Sequence, residues 1–231
     1  MKSPVLFLSL FLLLASGLSA QEYIKDASGN KYEVIEHNGY LIMTENLRTD
    51  RFRDGSKIPK RSYDKWDIAV ENDEAAYCYP GDYKGAASLY GNIYTRAAIQ
   101  SEKGLAPEGW FIPTLEEWKE ILWWQGSSYI EKNTTNQEKS LHLVNTEDAR
   151  KWRKQVAKGK TSIIEVSTKF GARANGYRAP DGSFKEKEYG HFACRDGSIL
   201  FIATKSGGGA RLIKADTRNG LFVRCVKKIE K

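Results

Sequence analysis

The sequence predicts an α+β fold in which strands lie at both ends of the chain and helices lie between them. Three patterns carry this prediction: a hairpin signal near the N-terminus, two helical segments in the middle, and β-prone runs separated by glycines near the C-terminus. Strand and helix signals do not alternate along the chain, as they do in a doubly wound parallel sheet. The pattern therefore favours α+β over α/β.

The N-terminus has the residue order of a cleavable secretory signal. Lys2 supplies a positive charge, Val5 to Ala15 is an apolar run, and Ser16 to Ala20 are mostly small residues. The apolar run is shorter than the roughly 20 residues of a membrane span. We therefore predict a signal peptide over residues 1–20 that is cleaved near Ala20, and a mature chain in the periplasm or outside the cell, with no membrane span. Residues 21–231 are long enough for one domain with a sizeable core.

The first element of the mature chain is a predicted β-hairpin. Lys31 to Met43 holds two β-prone runs joined by Asn38-Gly39, a dipeptide that favours the type I′ turn. From about Thr49 to Gly85, turn formers, charges and scattered aromatics follow no clear period. This stretch predicts a long, mostly irregular excursion, and loops of that kind tend to carry function.

Two helices are predicted in the middle of the chain. Thr114 and Glu117 form a capping box at the start of a helix that runs from Leu115 to Gln125 and ends at Gly126. Its spacing places one face in the core: Leu115, Trp118, Ile121, Leu122 and Gln125. The second helix runs from about Glu147 to Lys158, with acidic residues in its first turn and basic residues after them.

The last quarter of the chain predicts strands. Ser198 to Thr204, Ala210 to Ile213 and Leu221 to Val226 are β-prone, and a glycine-rich break over residues 206–209 separates the first two. We therefore expect an antiparallel meander that closes the domain.

Composition excludes several classes of protein. Hydrophobic residues make up 41% of the chain and aromatics 12%, which is typical of a globular protein and not of a disordered one. The net charge is +7, but acidic and basic residues are interspersed, so the charge does not indicate a nucleic-acid partner.

Three cysteines in a chain bound for an oxidising compartment predict one disulfide and one buried thiol. The sequence leaves the pairing open. We expect Cys225 to be paired, with Cys194 ahead of Cys78 as its partner, because Cys194 and Cys225 both lie in C-terminal strand segments. His191 and Cys194 resemble half of a metal site, but no second pair completes it, so neither a metal nor a cofactor is predicted.

Several blocks of the sequence resemble one known family. The blocks span most of the mature chain, from about residue 23 to residue 228, and occur in the family's order: Tyr23–Tyr32, Met43–Leu47, Asp54–Pro59, Tyr90–Thr95, Pro107–Thr114 and Phe222–Lys227. Together they are similar to the Fibrobacter succinogenes major paralogous domain, which is found mostly in exported proteins of Bacteroidetes-type bacteria.

The resemblance implies a C-type-lectin-like or formylglycine-generating-enzyme-like fold: two helices, a mixed antiparallel sheet, long irregular loops, and both termini in the sheet. It implies no activity, because none belongs to the family as a whole. The chain also departs from the family. Ala106 and Phe111 stand where relatives commonly have Cys and His, so a usual partner of Cys225 is missing, which leaves Cys78 or Cys194. A Trp common in relatives near His191 is absent too.

The favoured functional class is a non-catalytic binding or adhesion module of the cell envelope or exterior that recognises glycan or another envelope component. Trp123 lies about 140° around the helix from Trp118, on its far side. Flat aromatic rings stack on sugars, and amides supply directional hydrogen bonds. The candidate binding residues are therefore Trp123, Trp124 and Tyr129, with Asn133 and Gln137 as polar partners. The alternative is a structural envelope protein in which these aromatics pack beneath a loop.

An enzyme is the third class, and the sequence offers it little. His37, His142 and His191 lie in separate segments, and no nucleophile or metalloprotease motif occurs. Capping explains Glu117 better than a catalytic pairing with Glu116 does. Chemistry related to formylglycine generation would need two reactive thiols close together. Four tryptophans are expected in the core rather than in a site: Trp66, Trp110, Trp118 and Trp152.

Overall fold

The computed structural model describes residues 23–122, 130–133, 139–142, 173, 175–185, 189–203, 210–213 and 218–230. Side chains are described for residues 23–121, 173, 175–185, 190–200 and 218–230. The predicted signal peptide, the predicted helix from Glu147 to Lys158 and Trp152 lie outside these residues. No helix in the described part of the chain is long and apolar enough to span a membrane.

Short strands dominate the described residues, and the helices are few and short, so the fold is α+β. The strands are β1 (Tyr23–Lys25), β2 (Lys31–His37), β3 (Tyr40–Met43), β4 (Tyr77–Cys78), β5 (Ile93–Tyr94), β6 (Ile130–Asn133), β7 (Lys139–His142), β8 (Tyr177–Arg178), β9 (Phe184–Lys185), β10 (Tyr189–Ala193), β11 (Ile199–Ala203), β12 (Ala210–Ile213), β13 (Leu221–Phe222) and β14 (Val226–Lys228). The helices are α1 (Tyr63–Glu71), α2 (Lys84–Tyr90), α3 (Arg96–Ile99) and α4 (Leu115–Leu122), with a 3₁₀ turn at Pro80–Asp82.

A small antiparallel sheet joins the first and last strands in the order β1-β2-β3-β14. The predicted hairpin between β2 and β3 is confirmed. Its turn residues Asn38 and Gly39 have φ angles of 49° and 77°. Two successive positive φ values characterise the type I′ turn that suits the twist of paired strands.

A large mixed sheet has the order β4-β5-β13-β10-β11-β12-β7-β6, and β8 pairs with β9 in a separate ribbon. Within the large sheet only β10 and β13 run parallel, at Phe192 and Phe222. One row of residues in register crosses five strands on the same face: Cys78, Ile93, Phe222, Phe192 and Leu200. Because side chains alternate along a strand, the residues next to this row point to the other face.

The two faces of the large sheet build two core clusters. The first cluster contains Tyr94, Leu221 and Ala193, together with Tyr32 and Met43 from the small sheet. The second cluster contains the row described above and the buried side chains of α1 and α4. Hydrophobic burial on both faces explains why short strands suffice to hold the sheet.

Three of the four tryptophans predicted to be core are buried in these clusters. Trp66 of α1 and Trp118 of α4 are completely buried in the second cluster, and Trp110 is 6% exposed in the first. The capping box of α4 is confirmed as well. The Thr114 backbone N–H donates to Oε2 of Glu117 at 2.7 Å, and the Glu117 N–H donates to Oγ1 of Thr114 at 3.2 Å.

Two predictions about chain organisation are wrong in part. The stretch from Thr49 to Gly85 is not one irregular excursion, because it contains α1, β4 and the 3₁₀ turn, and α2 begins in it. The C-terminal meander holds for β11 and β12, but Leu221 to Val226 is not one strand of it. Instead β13 pairs with β10 and β5, and β14 crosses to the small sheet.

The predicted disulfide of Cys225 is absent, and Cys78, Cys194 and Cys225 are all buried free thiols. The clusters give the reason. Cys225 packs in the first cluster, whereas Cys78 and Cys194 pack in the second. Ala106, which stands where relatives commonly have Cys, lies in the same cluster as Cys225.

Candidate functional site

The binding residues predicted from the sequence fall mostly outside the described residues. This is the case for Trp123, Trp124, Tyr129 and Gln137. Asn133 ends β6, which lies last in the strand order of the large sheet, but its side chain is not described. That candidate site therefore stays a prediction.

Three aromatic side chains are more than half exposed in the described part of the chain: Tyr23 of β1, and two others that lie near one ion pair. Tyr63, the first residue of α1, is 57% exposed, and Tyr83, which directly precedes α2, is 71% exposed. Each ring presents a flat apolar face and a polar hydroxyl to solvent. Tyr63 and Tyr83 are connected through one ion pair, since Tyr63 packs on its basic member and Tyr83 directly follows its acidic member in the chain.

The ion pair joins Arg178 of β8 to Asp82 of the 3₁₀ turn. Nη1 and Nη2 of Arg178 donate to the two carboxylate oxygens of Asp82 at 3.1 and 3.2 Å. The Arg178 side chain has no exposed surface, while the Asp82 side chain is 18% exposed. The buried Arg178 guanidinium thus holds in place a carboxylate that is partly exposed. We call Tyr63, Tyr83 and the Asp82 carboxylate the tyrosine surface.

Aromatic rings surround the Arg178 guanidinium. Its Cζ lies 4.8 Å from the ring centroid of Trp66, 5.0 Å from that of Phe184 and 5.1 Å from that of Tyr63. Nε also donates to the Gly182 carbonyl at 3.1 Å. Guanidinium groups tolerate this environment because their charge is delocalised and they stack on aromatic faces. Tyr63 is therefore held in place by the cation it covers.

The backbone of the 3₁₀ turn determines where Asp82 and Tyr83 lie. Gly81 and Asp82 have φ angles of 61° and 54°, and the Asp82 N–H donates to the Tyr79 carbonyl at 3.0 Å. Asp is among the few residues that adopt a left-handed conformation at modest cost. Beyond the turn, the Tyr83 ring lies against Gly85. A Cβ atom at Gly85 would come within 2.5 Å of Cε1 of Tyr83.

Comparison with known proteins identifies the family. The sequence model of the Fibrobacter succinogenes major domain matches residues 35–227. The chain belongs to this family. No match to the chain was found among curated proteins or among solved structures.

The tyrosine surface lies within the part of the chain that matches the Fibrobacter succinogenes major domain. Sequence reasoning missed its residues. Two signals pointed towards it: the stretch from Thr49 to Gly85 was expected to carry function, and Pro80-Gly81-Asp82 is a turn sequence. No local signal pointed to Arg178, which reaches Asp82 across 96 residues of chain.

The three thiols of this family member are buried in the core. Burial raises the pKa of Cys78 to about 12, although the nearby Arg178 guanidinium opposes the shift. Burial also raises the pKa of Cys194 and of Cys225 well above the usual thiol range. Since the thiolate is the reactive form, all three sulfurs are poor nucleophiles in the folded protein.

The half metal site suggested by His191 and Cys194 is not completed by the part of the chain that the structure describes. Both residues are buried, and the His191 ring packs edge-on against Tyr177 with centroids 5.0 Å apart. Among the described residues no three His, Cys, Asp or Glu side chains gather as metal ligands. The ring–ring contact gives His191 a packing role.

Proposed function

We propose that this family member is an exported, non-catalytic binding or adhesion module of the bacterial cell envelope or exterior, and that it recognises glycan. One observation carries the proposal: Tyr63 and Tyr83 are both exposed, Tyr63 packs on the Arg178 guanidinium that holds the Asp82 carboxylate, and Tyr83 directly follows Asp82 in the chain. Sugar rings have apolar faces that stack on aromatic rings, and hydroxyl groups that donate to carboxylates. The tyrosine surface offers both kinds of group within one small area.

The proposal of export rests on the residue order at the N-terminus. A positive charge, an apolar run and small residues precede Gln21. The intact mass of protein recovered from a periplasmic or secreted fraction tests it. Protein that begins within a residue or two of Gln21 supports export, and a species that keeps residues 1–20 and sediments with membranes contradicts it.

The proposed fold within the α+β class is C-type-lectin-like, and two features support it. The first and last described strands, β1 and β14, join the same small sheet, and the large sheet is mixed rather than purely antiparallel. Long connections with little regular structure, such as residues 44–62 between β3 and α1, agree with this arrangement. An experimental structure of the mature chain would test the likeness directly.

The non-catalytic part of the proposal is supported by the state of the cysteines. Chemistry related to formylglycine generation would require two reactive thiols close together. All three described thiols are buried, and their raised pKa values favour the protonated form. The remaining alternative is a structural envelope protein whose exposed tyrosines contact no ligand.

Binding of the purified mature chain to a glycan array tests the proposal. We expect retention on at least one glycan, and we expect the heat-denatured chain to show none. Retention on no glycan, by a chain shown to be folded by circular dichroism, would favour the structural alternative.

A further inference from the structure

We propose that the tyrosine surface takes a neutral polysaccharide, with sugar faces against Tyr63 and Tyr83 and sugar hydroxyls on Asp82. This inference rests on the proposed glycan-binding function and adds to it the chemical class of the ligand and the contact that each residue of the tyrosine surface would make. It also assigns Gly85 a role as the residue that positions Tyr83.

The aromatic component comes from two rings that are anchored differently. Tyr63 is fixed by its contacts with Arg178, at 5.1 Å, and with Phe184, at a centroid distance of 5.9 Å. Tyr83 has no comparable ring contact within the described residues and is the most exposed large hydrophobic side chain there. Tyrosine supplies contact area with only two side-chain torsions to order, so stacking a ligand on it costs little entropy.

The polar component is the carboxylate of Asp82. An ionised carboxylate has two oxygens with about four lone-pair positions. Arg178 occupies one position on each oxygen. The Asp82 side chain is 18% exposed, so hydroxyl donors of a ligand can reach it and the remaining positions can accept hydrogen bonds from them. A bidentate guanidinium behind the carboxylate fixes its plane, so its acceptors are oriented before any ligand arrives.

The charge of the surroundings argues for a neutral ligand. Three segments contain or surround the tyrosine surface and together carry six basic and four acidic side chains: residues 60–67, 82–84 and 178–185. Glu74 pairs with Arg61, which leaves almost no net charge. The +7 of the whole chain is therefore not concentrated here. A polyanion would gain little attraction at this surface and would be repelled by Asp82.

Gly85 leaves the space in which the Tyr83 ring lies. An added Cβ would come within 2.5 to 2.7 Å of three atoms of that ring. The ring is exposed and free to move away, so Gly85→Ala displaces Tyr83 without forcing the core to shift. Alanine is also the better helix former at this position in α2. The substitution thus alters the binding surface while preserving or raising stability.

Affinity gel electrophoresis of the mature chain tests the inference. The gels contain one of three neutral polysaccharides, a β-glucan, a xylan or a mannan, or one of two acidic ones, polygalacturonate or alginate. The variants are Tyr63→Ala, Tyr83→Ala and Gly85→Ala. The matched control is Tyr23→Ala, which removes an exposed aromatic side chain in β1. Because Tyr63 also packs on Arg178, Tyr83→Ala and Gly85→Ala decide the result, and thermal unfolding is measured for each variant.

We expect at least one neutral polysaccharide to retard the wild-type chain. Tyr83→Ala and Gly85→Ala should each lower the affinity for that polysaccharide about tenfold, a change of about 1.4 kcal/mol, and the control Tyr23→Ala should leave it unchanged. In solution titrations of that polysaccharide, the affinity should hardly change between about 0.01 and 1 M NaCl, which shortens the Debye length from about 30 to about 3 Å.

Each of the other outcomes overturns one part of the proposal: the function, the class of the ligand or the site. No retardation by any of the five polymers would overturn the glycan-binding function itself. Retardation by acidic polymers alone, lost at high salt, would leave that function standing and overturn the neutral class. Neutral binding that survives both Tyr83→Ala and Gly85→Ala would leave the function standing and overturn the site.

Discussion

Arg178 donates to both carboxylate oxygens of Asp82 from a position without exposed surface, and so ties the ribbon of β8 and β9 to the turn before α2. The two residues are 96 positions apart in the chain. Tyr83 is the next residue in the chain after Asp82, and the Tyr63 ring covers the same guanidinium. The tyrosine surface therefore depends on a contact in the protein interior.

Arg178→Ala should destabilise the fold. It removes the hydrogen bonds to Asp82 and Gly182 and leaves a cavity among aromatic rings. Asp82 keeps some access to water, so we expect the free energy of unfolding to fall by about 2–4 kcal/mol, somewhat less than on breaking a fully buried ion pair. Urea unfolding measures it.

Arg178→Lys separates charge from geometry. Lysine keeps the charge but cannot donate in the bidentate manner, so we expect a clear loss of stability here too. Arg195→Ala is the control, because its ion pair with Glu117 is 3.6 Å long and the Arg195 side chain is 53% exposed. That variant should lose less than about 0.5 kcal/mol. Equal effects of Arg178→Lys and Arg195→Ala would show that the buried geometry contributes nothing.

Thr114→Ala should lower the free energy of unfolding by about 1 kcal/mol, because it removes the side-chain acceptor that caps the Glu117 N–H of α4. Thr114→Ser keeps a hydroxyl and should recover most of the loss. Glu116→Ala is the matched control, since Glu116 is exposed and forms only an ion pair with Lys119. Denaturant unfolding compares the stability of the three variants with that of the wild type. A Thr114→Ala variant as stable as the wild type would mean that the cap is not formed in solution.

Local signals explain which parts of the fold could be predicted. The hairpin turn is specified by Asn38-Gly39 and the start of α4 by Thr114 and Glu117, all within a few residues of chain. Helix α1 was missed because its start lacks such a signal: Ser62 stands at the N-cap but makes no side-chain capping hydrogen bond. Its position is set by packing, since Trp66 and Val70 are buried in the second cluster.

The sequence offers local signals for one candidate site and none for the other. The aromatic surplus and the helical spacing predict a binding surface at Trp123 and Trp124, which lie outside the described residues, so that site stays a prediction. Tyr63 and Tyr83 are exposed within the described residues, and Arg178 connects them through its contacts with the Tyr63 ring and with Asp82. A contact between residues so far apart in the chain has no counterpart in the spacing of a single sequence, so this second surface could not be predicted.

The three cysteines should resist alkylation in the folded protein. Burial prevents access and, by raising the pKa of each thiol, keeps the reactive thiolate scarce. Iodoacetamide followed by intact mass should add no label to the native chain and three to the chain unfolded in urea. A native chain that takes up two labels would instead support thiol chemistry, and a disulfide found by non-reducing peptide mapping would contradict the free thiols.

Stability should fall as the pH rises above about 10. Burial, and then the hydrogen bond to Glu120, raise the pKa of Tyr40 to about 12. Unfolded tyrosine titrates near pH 10. Because the folded-state pKa is the higher one, folding favours the protonated phenol. The stabilisation is complete below about pH 10 and is lost as the pH rises towards about 12.

Tyr40→Phe tests that assignment. It lowers stability at neutral pH by removing the bond to Glu120, but it should make the decline of stability above about pH 10 shallower. Tyr23→Phe, at an exposed position, should leave the slope as it is. Urea unfolding from about pH 8 to about pH 11 gives the slopes, and identical slopes for wild type and Tyr40→Phe would remove Tyr40 from the explanation.

Two glycines should respond in opposite ways to the same added methyl group. Gly220 pairs with Arg178 through the backbone, and a Cβ there would lie 2.7 Å from Cγ2 of Ile93 and against the ring of Trp66, both fully buried. Neither neighbour has room to move, so Gly220→Ala should cost about 1–3 kcal/mol. At Gly85 the three nearest atoms all belong to the exposed Tyr83 ring, and alanine favours the helix. Gly85→Ala should therefore leave the free energy of unfolding unchanged or raise it by up to about 1 kcal/mol. Urea unfolding measures the stability of both variants. A Gly220→Ala chain as stable as wild type would show that the packing between α1 and the large sheet is looser than these distances indicate.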